Sequence, residues 1–181
     1  HLLNGVTRGH TSMTGTFFGS CGLAECITKT AKQAGWKRKY GKLPPLKGIG
    51  IGIGAMASGA KGVFKHDTSA AFIKIVDDGS MSLFVGLPDM GQSSHTAMAM
   101  IAAEVLGAKP TDITVISGDT DIVPLDVGAL IQRGTFNTGN AVKAAALDAR
   151  KQLEVLAAAR LGVKPAQLVF RDRQVYPKGQ P

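Results

Sequence analysis

The chain has 181 residues, of which 44% are hydrophobic and 19% charged, and its formal net charge is +8. This composition predicts a folded globular domain and excludes a disordered chain. No stretch approaches the run of about 18 apolar residues that crosses a membrane. Two cysteines, Cys21 and Cys26, are too few for a zinc site or an iron–sulfur cluster, and sparse thiols favour the cytoplasm. Because it begins with His1 and ends in YPKGQP, we expect the chain to be a piece of a longer protein.

The positive charge is concentrated in the first third of the chain. No Asp or Glu lies between Cys26 and His66, whereas nine cations do: Lys29, Lys32, Lys37, Arg38, Lys39, Lys42, Lys47, Lys61 and Lys65. Such a block binds nucleic acid, a membrane surface or an acidic protein. Its aromatic residues are Trp36, Tyr40 and Phe64, and it carries no nucleic-acid-binding motif. A solvated arm or a subunit contact is therefore the favoured interpretation.

The first predicted helix lies within residues 22–36, where apolar residues recur at helical spacing and lysines occupy the other face, and Gly35 ends it. The Pro-rich stretch 41–47 predicts a link. We therefore divide the chain into an N-terminal helical, basic arm, 1–46, and a main domain, 47–181. Alternating Gly and Ile from Gly48 to Gly54 predict a strand with one bare face, and a loop after it up to residue 62. These glycines lie within the strand, so they do not match a dinucleotide-binding fingerprint.

The main domain alternates between strand and helix signals. Residues 69–86 predict a β-hairpin, residues 93–106 a helix that Gly107 ends, and residues 113–120 a strand. A long Ala-rich helix is predicted from Asn137 onward. The similar segments LGAKPTDITV and LGVKPAQLVF predict that one helix–turn–strand unit occurs twice, and the second strand starts a closing hairpin. Together these elements predict an α+β fold: a mixed sheet with hairpins and two long helices packed on one side.

Two polar loops stand out as candidate binding sites. PDMGQSS, residues 88–94, and the long loop DTDIVPLDVGALIQRGTFNTGNAV each lead into a helix whose first turn holds no acid. Long, Gly-containing loops tend to be functional, and a helix N-terminus attracts an anion. We therefore predict that two positive helix ends converge on a ligand that carries a phosphate. Ordinary caps and turns explain the same residues equally well from spacing alone.

The motifs PDMGQSSHT, AEVLG and SGDTDIVPLDVGALIQRGTFNTGNAV, in this order, resemble the molybdenum-binding large subunit of the xanthine oxidase family of molybdenum hydroxylases. The likeness is closest to the branch that holds 4-hydroxybenzoyl-CoA reductase and carbon monoxide dehydrogenase, and it covers nearly the whole chain. It implies that residues 47–181 are an incomplete molybdopterin cofactor-binding domain. The cofactor-binding residues that it implies are Gly91, Gln92, Ser93, Ser94, Ile131, Gln132, Arg133 and Gly134.

The resemblance also implies an activity and partners. The chain would belong to a molybdenum-containing oxidoreductase that hydroxylates or dehydroxylates an aromatic, heterocyclic or aldehyde-like small molecule. The cofactor would be molybdopterin with Mo, with the cytosine dinucleotide as one form. [2Fe–2S] clusters and FAD would lie on partner domains or subunits of an oligomeric enzyme, with neither nucleic acid nor a membrane as a partner.

Some residues depart from the family's pattern. Ser93 replaces a common Gly, and the bulkier Leu130 and Ile131 stand where an aromatic and a small residue are usual. The family's catalytic Glu lies beyond this segment, so no catalytic residue is assigned. No metal ligand is assigned either, and Asp119 and Asp121 are interpreted as loop caps. Two alternatives stay open: a non-catalytic scaffold that folds without cofactor, and a basic nucleic-acid-binding domain.

Overall fold

The computed structural model describes residues 1–56, 58 and 65–180, which form two compact units, His1–Ala55 and Met56–Pro181. Unit 1 contains helices α1 (Leu23–Ala34) and α2 (Trp36–Lys39). The helix predicted over 22–36 is confirmed, and Gly35, whose backbone is left-handed with φ 70°, ends α1 as predicted. No residue of either helix is fully buried.

The strand predicted from Gly48 to Gly54 is wrong. These residues have no strand assignment and no ladder partner in the described part of the chain. Glycine loses more backbone entropy than any other residue on becoming ordered and has no side chain to pack, so alternate isoleucines do not suffice to hold a strand. Most of the loop predicted after it, up to residue 62, lies outside the described residues.

Unit 2 is built around a three-stranded mixed sheet in the order β1 (Ala71–Ile75), β2 (Met81–Val85) and β3 (Ile113–Ile116). The strands β1 and β2 form the predicted hairpin, and β3 runs parallel to β2. Helix α3 (Ser94–Leu106) makes the crossover between the parallel pair. Alternate β2 side chains are fully buried, as expected for a strand with one face on the core.

The core lies between the sheet and two helices, α3 and α4 (Gly134–Leu161), which also pack against each other. Its buried residues are Met81, Leu83, Val85, Leu87, Met98, Ala99, Ala102, Ala103, Leu106, Ile113, Val142 and Ala146. Small residues on α3 and α4 allow close approach, since a Cβ on Gly139 would meet the Ile101 side chain at 2.9 Å. The predicted mixed sheet with two packed helices is confirmed, although α4 begins three residues before Asn137.

The repeated helix–turn–strand unit is also confirmed. Helix α3 is capped by Gly107 and α4 by Gly162, and both glycines have a left-handed backbone conformation. A 3-10 turn follows each helix and begins at Pro110 after α3 and at Pro165 after α4. The second turn leads into β4 (Leu168–Arg171), which pairs with β5 (Gln174–Pro177) in the predicted hairpin. None of the helices in the described ranges combines the length and apolar character needed to cross a bilayer.

The two helix-ending glycines provide a matched pair of substitutions. A Cβ on Gly107 would collide with the backbone carbonyl of Phe170, whereas a Cβ on Gly162 would meet nothing within 4 Å. Both positions have positive φ, which costs a non-Gly residue about 1 kcal/mol. We expect Gly162→Ala to lower the free energy of unfolding by about that amount and Gly107→Ala by roughly 2 kcal/mol more, because of the collision. Urea unfolding followed by circular dichroism checks this, and equal losses would contradict it.

Candidate functional site

A cavity of about 570 Å³, here called the central cavity, opens where α3 and α4 begin. Its lining comes from three segments: Met56; then Leu87, Met90, Gln92 and Ser94; then Ala129, Leu130, Ile131, Gln132, Gly134 and Thr135. This volume is in the range of small-molecule and cofactor sites. No charged side chain is among the described lining residues.

The central cavity brings together five of the eight residues that the sequence implicates: Gln92, Ser94, Ile131, Gln132 and Gly134. The two predicted polar loops thus meet at one place, as expected for helices that begin on the same side of a sheet. The other three residues do not line the cavity. Gly91 and Ser93 are exposed, and Arg133 is buried behind the lining.

The first turn of α3 holds no acid, as predicted, but the prediction that this helix end is free for an anion from a ligand is wrong. The Asp89 carboxylate accepts hydrogen bonds from the backbone N–H of Gly91, at 2.8 Å, and of His95, at 3.2 Å. These two bonds hold the pKa of Asp89 below its ordinary value. The chain folds back because Gly91 and Ser93 have positive φ, 98° and 60°. This turn brings the carboxylate of Asp89, five residues before α3 in the sequence, to the N-terminal end of the helix. The anion that stabilises this helix end is supplied by the chain itself.

The polar side chains of the first loop are partly occupied in holding its shape. The Gln92 amide accepts a hydrogen bond from the N–H of Met90 at 2.5 Å and donates one to the carbonyl of Pro88 at 3.1 Å. The Ser94 hydroxyl donates to the same Pro88 carbonyl at 3.1 Å. Both residues therefore help to fix the shape of the cavity wall.

Helix α4 differs, because neither an acid nor a side-chain cap occupies its first turn. Gly134 and Thr135 are its first two residues and line the cavity. The first amides of a helix have no acceptor within that helix, so they are donors for another group. The preceding Ile131 and Gln132 both have left-handed φ, 49° and 55°, which is rare for a β-branched residue and strains the loop at this point.

Arg133 anchors this strained loop from inside the protein. Its side chain is fully buried, and its five N–H donors have partners. These are the Asp67 carboxylate, the Asp126 carboxylate, the carbonyls of Gly128 and Thr68, and the Ser69 hydroxyl, all between 2.5 and 2.9 Å. Arg133 therefore holds the cavity loop in place and has no donor left for a ligand.

The charges in this network stabilise one another. Burial alone would lower the pKa of Arg133, but its hydrogen bonds to Asp67 and Asp126 raise it. Burial would likewise raise the pKa of Asp126, but hydrogen bonds from Ser69, the Gly128 amide, Arg133 and Thr138 hold it below its ordinary value. The guanidinium and the Asp126 carboxylate are both charged at neutral pH.

The sequence analysis missed both carboxylates of this network. Asp67 lies 66 residues before Arg133 in the sequence, outside the motifs that carry the resemblance. Asp126 lies within the long loop motif, but nothing in the sequence marks it as the partner of a buried arginine. The interpretation of Asp119 as a loop cap is confirmed, since it accepts a hydrogen bond from the N–H of Asp121 at 3.0 Å. His95 is half-buried, and its Nε2 lies 2.8 Å from the Ser117 hydroxyl. Among the described residues, no group of three His, Cys, Asp or Glu could hold a metal ion.

The chain thus contains an α+β domain with a cavity where two of its helices, α3 and α4, begin. Residues 26–181 match the family of molybdopterin cofactor-binding domains. The chain belongs to this family, and the resemblance found in its motifs is confirmed. Its relatives are molybdenum-containing oxidoreductases or their subunits.

Several curated proteins are similar to the chain. The "Probable hypoxanthine oxidase XdhD" of Escherichia coli K12 is 31% identical over 89% of this chain and 17% of its own length. The carbon monoxide dehydrogenase large chain of Afipia carboxidovorans is 31% identical over 83% of this chain and 19% of its own length. The chain thus spans about a fifth of the length of these relatives.

Solved structures agree with this assignment. A Cu,Mo-CO dehydrogenase in its carbon monoxide reduced state is 29% identical, with a TM-score of 0.62 over 88% of this chain and 21% of that chain. Quinoline 2-oxidoreductase from Pseudomonas putida 86, at 22% identity and a TM-score of 0.60 over 86% of this chain and 20% of that chain, shares the fold.

The buried network predicts a pH-dependent stability. The folded-state pKa of Asp126 is lower than its ordinary 3.8, so its contribution is present above that value and is lost as the pH falls through the folded pKa. We expect Asp126→Asn to lower the free energy of unfolding by about 3 kcal/mol at neutral pH. The difference from the wild type should narrow as the pH falls below 3.8 and through the lower folded-state pKa, because the unfolded wild-type chain takes up a proton at Asp126 before the folded protein does.

Chemical unfolding of both proteins between neutral and acidic pH measures this difference. Asp77→Asn, in the exposed turn of the β1–β2 hairpin, is the matched control and should leave stability nearly unchanged. If the free energy of unfolding of Asp126→Asn stays below that of the wild type by the same amount down to acidic pH, the carboxylate charge is not what stabilises the network.

Proposed function

We propose that the chain forms part of the molybdenum-binding portion of an oxidoreductase, and that its central cavity holds part of the molybdopterin cofactor. The observation that supports this most directly is the meeting of Gln92 and Ser94 with Gln132, Gly134 and Thr135 around one cavity. Residues that the family resemblance implicates from two separate loops thus lie on a common wall.

The chemistry of the lining fits such a cofactor. Molybdopterin combines a heterocycle rich in hydrogen-bonding atoms with an anionic phosphate. The cavity offers side-chain amides and hydroxyls for the ring, and the first amides of α4, at Gly134 and Thr135, for an anion. Arg133 lies directly before these amides, but its charge is balanced by Asp67 and Asp126. An anionic group would therefore be bound by neutral donors and the helix dipole.

In this proposal the bound cofactor supplies the redox chemistry, and the protein positions it. The residues of the chain bind and orient it: Gln92 and Gln132 present amides, and Thr135 a hydroxyl. The apolar side chains of Leu87, Leu130 and Ile131 would exclude water from the same space. A low-dielectric surrounding strengthens every hydrogen bond that remains.

A shallow groove of about 460 Å³ continues from the central cavity along the exposed side of α4. The two share Gln132 and Thr135, and the groove adds Phe136, which is 74% exposed, and Lys143. An exposed aromatic ring stacks on a nucleobase, and a lysine attracts a phosphate. We assign this groove to the nucleotide of a dinucleotide form of the cofactor, with cytosine as the base that the family resemblance implies.

The remaining parts of the proposal rest on the relatives. Relatives named for hypoxanthine, nicotinate and aldehydes support an oxidoreductase that acts on a small heterocyclic, aromatic or aldehyde-like molecule. The nicotinate dehydrogenase relative from Pseudomonas putida is itself named as one of several subunits, which supports partner subunits for this chain. Those partners would carry [2Fe–2S] clusters and FAD. The bulk of Leu130 and Ile131 would narrow the space on the substrate side.

A change of charge at the cavity tests cofactor binding. Gln132→Glu is nearly isosteric and places a negative charge beside the α4 amides. We expect molybdenum bound per full-length protein to fall about tenfold, because repulsion of roughly 1.4 kcal/mol opposes an anionic cofactor. Elemental analysis for molybdenum and fluorescence of the oxidised pterin measure this loss.

The matched control is Gln174→Glu, an exposed change on β5 with the same charge. It should leave molybdenum and pterin content as in the wild type. Normal cofactor content in Gln132→Glu would contradict the placement at the central cavity, and a wild-type protein that binds no pterin at all would favour the scaffold alternative.

The groove has its own test in Phe136→Ala, which removes a stacking surface worth about 1–3 kcal/mol per base. We expect the full-length variant to contain at least about fivefold less nucleotide-bearing cofactor, measured as the nucleoside monophosphate released by acid. Phe72→Ala on β1, which also removes an exposed ring, should have no effect on this quantity. Equal cofactor content in both variants would show that the groove is empty of nucleotide.

A further inference from the structure

Almost all of the net charge belongs to unit 1. Residues 1–55 contain eight Lys and Arg and a single acid, Glu25, whereas unit 2 has thirteen Lys and Arg and twelve Asp and Glu. Glu25 forms an ion pair with Lys29 at 2.6 Å, so it does not neutralise any of the other cations. In the part of unit 1 that the structure describes, Lys29 is the one cation with a carboxylate partner.

The unpaired cations follow one another closely along the chain. They are Lys32, Lys37, Arg38, Lys39, Lys42 and Lys47, which we call the basic surface. All are exposed except the half-buried Lys39. Helix α2 alone contributes three in a row. Like charges at such spacing repel one another, so the arrangement is unfavourable unless an opposite charge compensates it.

The surroundings of the basic surface argue against a membrane. A basic amphipathic helix binds a bilayer by burying its apolar face in it. The apolar face of α1 is already in contact with the N-terminal segment, since Leu23 and Ile27 line a small cavity together with Leu2 and Val6. The Cys21 thiol also donates to the Val6 carbonyl at 3.2 Å. The face of α1 that remains free is the one with lysines.

The same surroundings argue against nucleic acid. Single-stranded nucleic acid is bound by aromatic rings that stack on bases. Trp36 and Tyr40 are the aromatic residues beside the basic surface, and they stack on each other with ring centres 4.6 Å apart. The fully exposed Leu46 lies among the cations. Tyrosine and arginine are enriched at protein–protein interfaces, and here Tyr40 and Arg38 lie close in sequence to the exposed Leu46.

We propose that the basic surface binds an acidic surface on another protein subunit. This inference rests on the proposed function, in which the chain works together with partner subunits. Complementary charge increases the rate of association and fixes the orientation of the partners, and its effect weakens as salt screens it. The partner is thus identified by its chemistry: clustered Asp and Glu side chains around an apolar patch that accepts Leu46 and Tyr40.

Zero-length crosslinking detects such a contact whichever protein supplies the carboxylates. Carbodiimide joins a lysine amine to a carboxylate only when the two are in direct contact. Applied to the complete enzyme with its subunits, it should join Lys37, Lys39 or Lys42 to Asp or Glu of a different subunit. Mass spectrometry that finds these lysines unlinked, or linked only within their own chain, would overturn the proposal.

Charge-removing variants of the full-length chain give a second, quantitative test. The triple variant Lys37→Gln, Arg38→Gln, Lys39→Gln should raise the Kd for the partner subunits about tenfold at low salt and flatten the salt dependence of Kd. The control, with Lys151→Gln, Arg160→Gln and Lys178→Gln, removes the same charge from exposed positions of unit 2. It should change Kd by no more than about twofold.

Two results would overturn the inference while leaving the proposed function intact, because molybdenum content is measured on the same samples. One is an equal effect of both triple variants on Kd. The other is binding of the separated chain to duplex DNA or to phosphatidylglycerol vesicles that the first triple variant abolishes, together with an unchanged Kd for the partner subunits. Absence of molybdenum from every sample would instead contradict the proposed function.

Discussion

The buried guanidinium of Arg133 is the constraint on which the candidate site depends. It ties the segment before β1, through Asp67 and Ser69, to the loop at Asp126 and Gly128. Because Arg133 directly precedes α4, the same bonds fix where this helix begins. A buried ion is tolerable only when its hydrogen bonds and its charge are both satisfied. All donors here have partners, so the loop between Gly128 and Gly134 has little freedom. The positive φ of Ile131 and Gln132 persists because this network holds both ends of the strained stretch.

The two helices at the cavity meet the same electrostatic requirement in different ways. Helix α3 receives its negative partner from Asp89 of its own chain, whereas the first turn of α4 has no acid and faces the cavity. Arg133 does not supply a free positive charge there, because two carboxylates neutralise it. The end of α4 is therefore the part of the site suited to an anion, and the polar groups near α3 are suited to a neutral ring. This asymmetry gives a bound ligand a defined direction.

The net charge is distributed unequally between the two units. The cavity in unit 2 is lined by uncharged residues, and the charges of this unit are nearly balanced. Unit 1 carries the excess of lysine and arginine on a surface with few contacts of its own. A neutral lining discriminates by shape and hydrogen bonds, while a charged surface acts at longer range. The proposed cofactor site and the proposed partner surface thus lie on different parts of the chain.

The sequence alone determined the elements whose signals are local: the β1–β2 hairpin, the helices with their ends at Gly107 and Gly162, and the repeated turn that a proline begins. Ordered motifs were also sufficient to identify the family, since they depend on residue identity and not on distance. Tertiary structure alone decided the role of Arg133, which pairs with Asp67 sixty-six residues away, and the capping of α3 by Asp89. It also decided that the Gly–Ile segment forms no strand in the described part. These outcomes depend on which groups folding brings within hydrogen-bonding distance, and hydrophobic periodicity carries no information about that.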